Sequence, residues 1–272
     1  LRIKVLFSTS KIPILYRHRF MALIKEALEK SDRDFKEALY PDEDSEFSKK
    51  VKPFSFSISL PPGRKMTKEK FIIDKDFKVE DTVFYFPENS FLPFYISSYD
   101  YEFMVNLYNG LLELKDFRFS EDIILRLEKV YMLNERKNSS YEVTFKTNSP
   151  ILIEDENDKP LLPVGNNGNK LNDNEMRLFN HHFNAIHDRI LKDLRKQGLF
   201  REIEFVPLKV NKQVVKHTLS GFRQKTGKPY MTLTTFQGRF KLKGDPRDLQ
   251  MLYQIGVGLR TGQGFGMVEA VG

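Results

Sequence analysis

The apolar positions of this chain fall into two successive runs of the same plan. RIKVLFS (2–8) alternates as a strand. After Pro13, residues Phe20, Leu23, Ile24, Ala27 and Leu28 recur at helical spacing, which predicts one amphipathic helix. KPFSFSISL (52–60) alternates again and DTVFYF (81–86) reads as the next strand. Phe103, Leu107, Leu111 and Leu114 then mark a second helix, and DIILRLEKVYML (122–133) closes the unit. The order is βαββαβ, a ferredoxin-like split βαβ, in which both helices cover one face of an antiparallel sheet.

The second half repeats the plan. YEVTFKT (141–147) is a strand, and Met176, Phe179, Phe183, Ile186, Ile190 and Leu194 trace one face of a long helix, so this Phe stripe is read as core. REIEFVPLKV (201–210) and YMTLTTFQGRFKLKG (230–244) are long strands, the second pairing with 213–222 or with the first. Asp245 caps a helix with Pro246 at its first position and Leu249, Leu252 and Tyr253 inside. Gly256 ends it and FGMVEAV (265–271) is the last strand. The predicted fold is therefore α+β, two tandem ferredoxin-like domains spanning 1–138 and 139–272, with the boundary in NERKNSS (134–140). The polar stretches EDENDKP and GNNGNKLNDN are expected to form a mobile loop inside the second half.

Composition excludes several classes. With 40% hydrophobic and 30% charged residues the chain reads as soluble and globular, and no apolar run approaches the roughly eighteen residues of a membrane span. Zero cysteines exclude disulfides, thiolate zinc sites and iron–sulfur ligation, which together with the lack of a signal-peptide pattern behind LRIKVLF favours a cytoplasmic setting. His181, His182 and His187 share a helix at spacings that do not bring three ligands to one face, so no metal site is expected.

The charge becomes informative once it is located. Of the net +7, all lies in residues 201–272, which hold 12 Lys+Arg against 5 Asp+Glu; the rest of the chain holds 32 of each. Lys209, Lys212, Arg223, Lys225, Arg239, Lys241 and Arg260 stand there with His217, Phe222, Tyr230 and Phe236 interleaved. Cations beside aromatic faces suit a phosphate backbone with stackable bases. Among them GVGLRTGQGFG (256–266) places five glycines in eleven residues. A dinucleotide fingerprint needs a helix after its glycines and an acid about twenty residues on, and the sequence offers neither. The expected role of Gly258, Gly262 and Gly264 is to let backbone N–H groups cradle RNA phosphates.

Tandem ferredoxin-like domains, a basic second half and GVGLRTGQGFGMV between the last helix and last strand resemble the CRISPR-associated repeat-RNA processing endoribonucleases of the RAMP superfamily. G-x-G-x5-G-F-G at this place is similar to the family's glycine-rich loop, and KPFSFSISL is similar to its second strand. The resemblance implies cleavage within CRISPR repeat RNA without metal or other cofactor. In that reaction the 2′-hydroxyl attacks, giving a 2′,3′-cyclic phosphate and a 5′-hydroxyl. The partners implied are precursor crRNA and a CRISPR effector complex that receives the product, with no membrane and with a monomeric or homodimeric protein. Many members carry a catalytic His shortly after the first helix, and here none stands between His18 and His181. In FKEALYPDEDSEFSKKV (35–51) Tyr40 takes that place, Lys25 falls where relatives carry a catalytic Tyr, and Lys52 matches their basic residue before the second strand. The expected catalytic set is thus Lys25, Tyr40 and Lys52 with His18, and Lys49 and Lys50 stand close by. A repeat-RNA-binding relative that has lost cleavage, and a structural RAMP subunit that coats guide RNA, are the alternatives.

Overall fold

The computed structural model describes residues 1–41, 50–74, 77–165 and 168–271. The first half runs β1 (Arg2–Ser8), β2 (Lys11–Pro13), α1 (Arg17–Ser31), α2 (Arg33–Leu39), β3 (Phe54–Ile58), β4 (Lys65–Asp74), β5 (Phe77–Tyr85), β6 (Leu92–Ser98), α3 (Tyr101–Leu114), β7 (Asp116–Arg118) and β8 (Ile124–Leu133). The second runs β9 (Glu142–Thr147), α4 (Asp173–Arg195), β10 (Glu204–His217), α5 (Ser220–Thr226), β11 (Met231–Lys243), α6 (Pro246–Ile255), a 3₁₀ turn (Thr261–Gln263) and β12 (Val268–Ala270). Two sheets, ordered β3-β6-β1-β8-β7 and β10-β11-β9-β12, give each half the strand order of a split βαβ. The fold is two ferredoxin-like units in tandem.

Alternation decides which side of each strand meets the helices. Ile3, Val5 and Phe7 of β1 and Phe94 and Ile96 of β6 join Phe20, Leu23 and Ile24 of α1 and Leu107 of α3 in one buried cluster. Phe145, Phe205, Phe240 and Leu242 join Phe179 and Phe183 of α4 and Leu249 and Leu252 of α6 in another, so the Phe stripe of α4 is core. The side chain of Asn172 caps α4 in a reciprocal box with Glu175, and Asp245 caps α6 ahead of Pro246. No described helix is long and apolar enough to cross a membrane.

The structure corrects two strand assignments. The stretch 81–86 is not the third strand of the first domain; its residues 81–85 lie in β5, which pairs with β4 and β2 in a separate three-stranded sheet. The third strand is β6, whose pattern is masked by Pro93, Ser97 and Ser98, although Leu92, Phe94 and Ile96 are fully buried. Strand β10 is continuous to His217 and pairs with β11 along its whole length, and the chain then turns into α5, so 213–222 is not a separate strand. Of the loop expected inside the second half, residues 166 and 167 lie outside the described residues.

The two units meet along a polar seam that begins at the second residue. Arg2 is 2% exposed, and its guanidinium stacks 3.8 Å from the Tyr253 ring centroid, donates to the Tyr253 and Val268 carbonyls and pairs with Glu269. A second bridge joins Lys216 of β10 to Asp81 of the extra sheet at 2.5 Å.

Candidate active site and nucleic-acid interface

Helix α2 is short and ends against the start of β3. Asp32 caps its first turn through Phe35 N–H (2.9 Å), and Tyr40 follows its last residue. Its C-terminal carbonyls carry the negative end of the helix dipole and have no partner within the helix. The Lys52 ammonium fills that role, donating to the Leu39 carbonyl at 2.6 Å. The same ammonium lies 4.5 Å from the centroid of the Tyr40 ring, and the ammonium of Lys25 on α1 lies 4.7 Å from it. Two cations thus share one ring quadrupole, an arrangement worth up to about 2 kcal/mol per cation when desolvated.

This arrangement tunes both groups. Burial, with the nearby charges of Lys25 and Lys50 adding to it, lowers the Lys52 ammonium to about 8, so it exchanges its proton near neutral pH. Burial raises the Tyr40 phenol above its ordinary value, which keeps it protonated, and its hydroxyl meets no partner among the described residues. Lys50 is exposed, and Lys49 lies outside the described residues.

His18 is held elsewhere. Its ring is on the first turn of α1, lining a cavity shared with the β4–β5 hairpin, and burial together with Arg19, Arg223 and His217 lowers it to about 3. The structure brings Lys25, Tyr40 and Lys52 together and leaves His18 out of their contacts.

The glycine-rich loop closes the site from the second domain. A Cβ on Gly262 would lie 2.8 Å from the Lys52 Cβ and Cγ, and one on Gly264 would lie 2.7 Å from the Phe56 ring. Two of the three glycines of the expected phosphate cradle, Gly258 and Gly264, have their N–H groups engaged within the protein. The N–H of Gly258 donates to His187 Nε2 (2.9 Å), that of Gly264 to the Thr261 carbonyl (3.1 Å) and that of Gly266 to the Pro150 carbonyl (2.8 Å). These donors are used inside the protein because the loop is wedged between the domains. Glycine is needed there for close packing. His187 is fully buried, donates from Nδ1 to the Phe183 carbonyl and is lowered to about 4 by burial, so it accepts from the loop as a neutral ring.

The expected RNA-binding cations divide into three kinds. Lys209 and Arg239 are exposed on β10 and β11 and stand opposite each other, and Lys146 of β9 is the next partner of Arg239 in the same cross-strand row. Phe145 and Phe240 alternate with Lys146 and Arg239 and point into the core, so the basic row lies on the face away from the helices. Like charges directly opposite on a sheet are destabilising. Lys212 and Lys225 are exposed and Arg260 is half-buried. Lys241 pairs with Glu142 at 2.5 Å. Arg223 is 7% exposed and donates to Thr218 Oγ1 at 2.7 Å, bracing α5. Lys146 was missed by sequence reasoning, since its charge shows only once β9 is registered against β11.

The model of the C-terminal region of CRISPR associated protein Cas6 matches residues 133–270, just over half of the chain. The chain belongs to the Cas6 family of CRISPR-associated RAMP proteins. No curated protein sequence matches this Cas6-family chain significantly. Its fold is similar to that of a Cas6-related protein from Pyrococcus furiosus, at 16% identity and a TM-score of 0.69, covering 100% of this chain and 98% of that one. A structure described as "An RAMP protein binding different RNA substrates" aligns at 16% identity and a TM-score of 0.67, covering 100% and 99%. A Cas6 product complex aligns at 14% identity and a TM-score of 0.56, covering 99% of each chain. Among the described residues no group of three His, Asp or Glu side chains is placed to hold a metal ion.

Proposed function

We propose that this Cas6-family chain binds CRISPR repeat RNA and cleaves it within the repeat, without a metal ion. Family membership supports the substrate, as do the names of similar folds, one an RNA-binding RAMP protein and one a Cas6 product complex. The observation that carries the reaction is the Lys52 ammonium, pinned on the Leu39 carbonyl beside Tyr40 and lowered to about 8.

The 2′-oxygen upstream of the scissile phosphate bonds to phosphorus and the P–O5′ bond breaks. The 2′-hydroxyl proton goes to solvent, and Lys52 gives its proton to the departing 5′-oxygen. A cyclic phosphate and a 5′-hydroxyl result. Lys25 adds positive charge against the phosphorane, and the Tyr40 ring holds both ammonium groups in place. A group near pKa 8 is a far better acid at neutral pH than free lysine near 10.4. The row Lys146–Arg239–Lys209 tracks the RNA backbone.

A second reading is favoured by one observation: Tyr40 is held protonated and no histidine among the described residues joins the cluster, so with Lys52 acting as the acid no second side chain there is tuned to serve as the base. In that reading the chain binds the repeat and does not cut it. Single-turnover incubation with synthetic repeat RNA in EDTA, followed by end-group analysis, separates the two. Cyclic-phosphate products that vanish in Lys52→Ala support cleavage. Tight binding with intact RNA selects the second reading.

A further inference from the structure

The GFG at 264–266 holds an arginine. Arg17, the first residue of α1, donates from Nε to the Gly264 carbonyl at 3.3 Å. Its guanidinium carbon lies 5.0 Å from the centroid of the Phe265 ring, which is fully buried, and 4.9 Å from that of Tyr16. One hydrogen bond and two rings thus fix the plane of this group. Its two terminal nitrogens have no hydrogen-bond or ion-pair partner among the described residues and are not sealed from solvent. The small cleft that Arg17 shares with Ser57, Asn148 and Ser149 has no carboxylate in its described lining. Burial, with the Arg17 charge next in effect, lowers the His217 ring to about 3, so that neighbour is neutral as well.

The place of Arg17 joins two features already described. A Cβ on Gly264 would meet the Phe56 ring and lie 3.4 Å from the Arg17 Cγ, whereas Gly262 packs on Lys52. Lys52 and Phe56 are four residues apart, so their Cα atoms are at most about 14 Å apart and the loop reaches from one to the other. On the other side, Asn148 of the same cleft is two residues from Lys146, where the basic row begins, and so at most about 7 Å from it. Arg17 therefore lies between the Lys25–Tyr40–Lys52 cluster and the row Lys146–Arg239–Lys209. A strand crossing from one to the other passes beside it.

A guanidinium presents its donors along edges, and with Nε spent on Gly264 the edge formed by the two terminal nitrogens is left. That edge matches two oxygens of one phosphate. A lone carboxylate would match it too, but the sites on either side are cationic, which suits a polyanion running past all three. The rings hold the group in advance, so little side-chain freedom is lost on binding. We propose that Arg17 clamps one phosphate of the bound RNA, between the phosphate at Lys52 and the nucleotides along the basic row. This contact rests on the RNA-binding reading above, and it gives Gly264 and Phe265 the task of aiming an arginine.

The test is a neutral-phosphate scan of synthetic repeat RNA against wild type, Arg17→Met and Arg17→Gln. Each RNA carries one methylphosphonate linkage with a 2′-O-methyl ribose on its 5′ side, and its control carries the 2′-O-methyl group alone. Affinity is read by filter binding and folding by circular dichroism. In wild type several linkages should cost affinity, one of them by about tenfold. At that linkage alone the loss should vanish in both variants, which bind unmodified RNA about tenfold more weakly. Arg17→Gln keeps an amide donor for the Gly264 carbonyl, so it separates a phosphate clamp from a loop brace and decides the matter if Arg17→Met fails to fold. Folded variants with the wild-type profile at every linkage overturn this inference alone. Wild type that binds no RNA overturns it together with the functional reading.

Discussion

Gly262 and Lys52 come from opposite ends of the chain and are packed so closely that a Cβ on the glycine would sit 2.8 Å from two carbons of the lysine stem. The glycine therefore holds the position of a candidate catalytic ammonium from the other domain. Gly262→Val should push the Lys52 stem away from the Leu39 carbonyl and slow single-turnover cleavage by about a hundredfold. RNA affinity should fall by less than about threefold. A loss confined to affinity, with the cleavage step intact, would return the loop to a purely RNA-binding role.

The pH dependence follows from the direction of the Lys52 shift. Lys52 must be protonated to act as an acid, so the cleavage rate at subsaturating RNA should fall as pH rises through about 8. Lys25→Met removes one neighbouring positive charge, which should move that limb to higher pH. A limb that stays in place in Lys25→Met would argue that another group titrates.

The basic row on the second sheet makes a paired prediction. Replacing Lys209 or Arg239 by Ala should relieve like-charge repulsion and raise stability by about 0.5 kcal/mol, whereas replacing Lys146, which also stands opposite Glu269, should gain little. The same changes should weaken RNA binding and flatten the log K against log salt slope by about 0.7 for each phosphate no longer neutralised. Lys241→Ala, which breaks the pair with Glu142, should gain no stability. Urea melts and salt titrations check both arms, and an unchanged slope in all three row variants would reduce the row to a solvated face.

Three histidines whose rings are desolvated in the fold make it acid-sensitive. His18 and His217 are lowered to about 3 and His187 to about 4, below the ordinary 6.5. The unfolded chain binds those protons first as pH falls below 6.5, so the contribution of the neutral rings is fully present above 6.5 and is lost progressively toward their folded values. Between pH 6 and 4.5 unfolding should take up about two to three protons from these groups. His187→Gln should reduce the pH slope of stability in urea melts by about one proton. It should also loosen the glycine loop, because the Gly258 N–H loses its imidazole acceptor.

The catalytic candidates were partly legible in the chain. Lys25, Tyr40 and Lys52 were named through the family resemblance, by their register with the first helix and second strand, and they do meet around one ring. His18 was grouped with them because it shares α1 with Lys25, yet its ring lines another cavity, since surroundings depend on what packs over each turn. Arg223 was counted among the RNA cations on charge alone. Its burial depends on the turn into α5, which strand periodicity did not show.

The sequence by itself determined the doubled βαββαβ plan, the apolar faces of α1, α3, α4 and α6, and the placing of excess charge and glycine in the last quarter. Those features are local, because period, capping and composition act within a few residues. Tertiary structure alone decided that β6 and not β5 enters the first sheet, and that Lys146 joins Arg239 and Lys209 in one row. It likewise decided that the N–H groups of Gly258, Gly264 and Gly266 are satisfied inside the protein and that the Lys52 ammonium is lowered to about 8. Each of these depends on strand register or on desolvation between elements distant in sequence, and neither has a local signature in the chain.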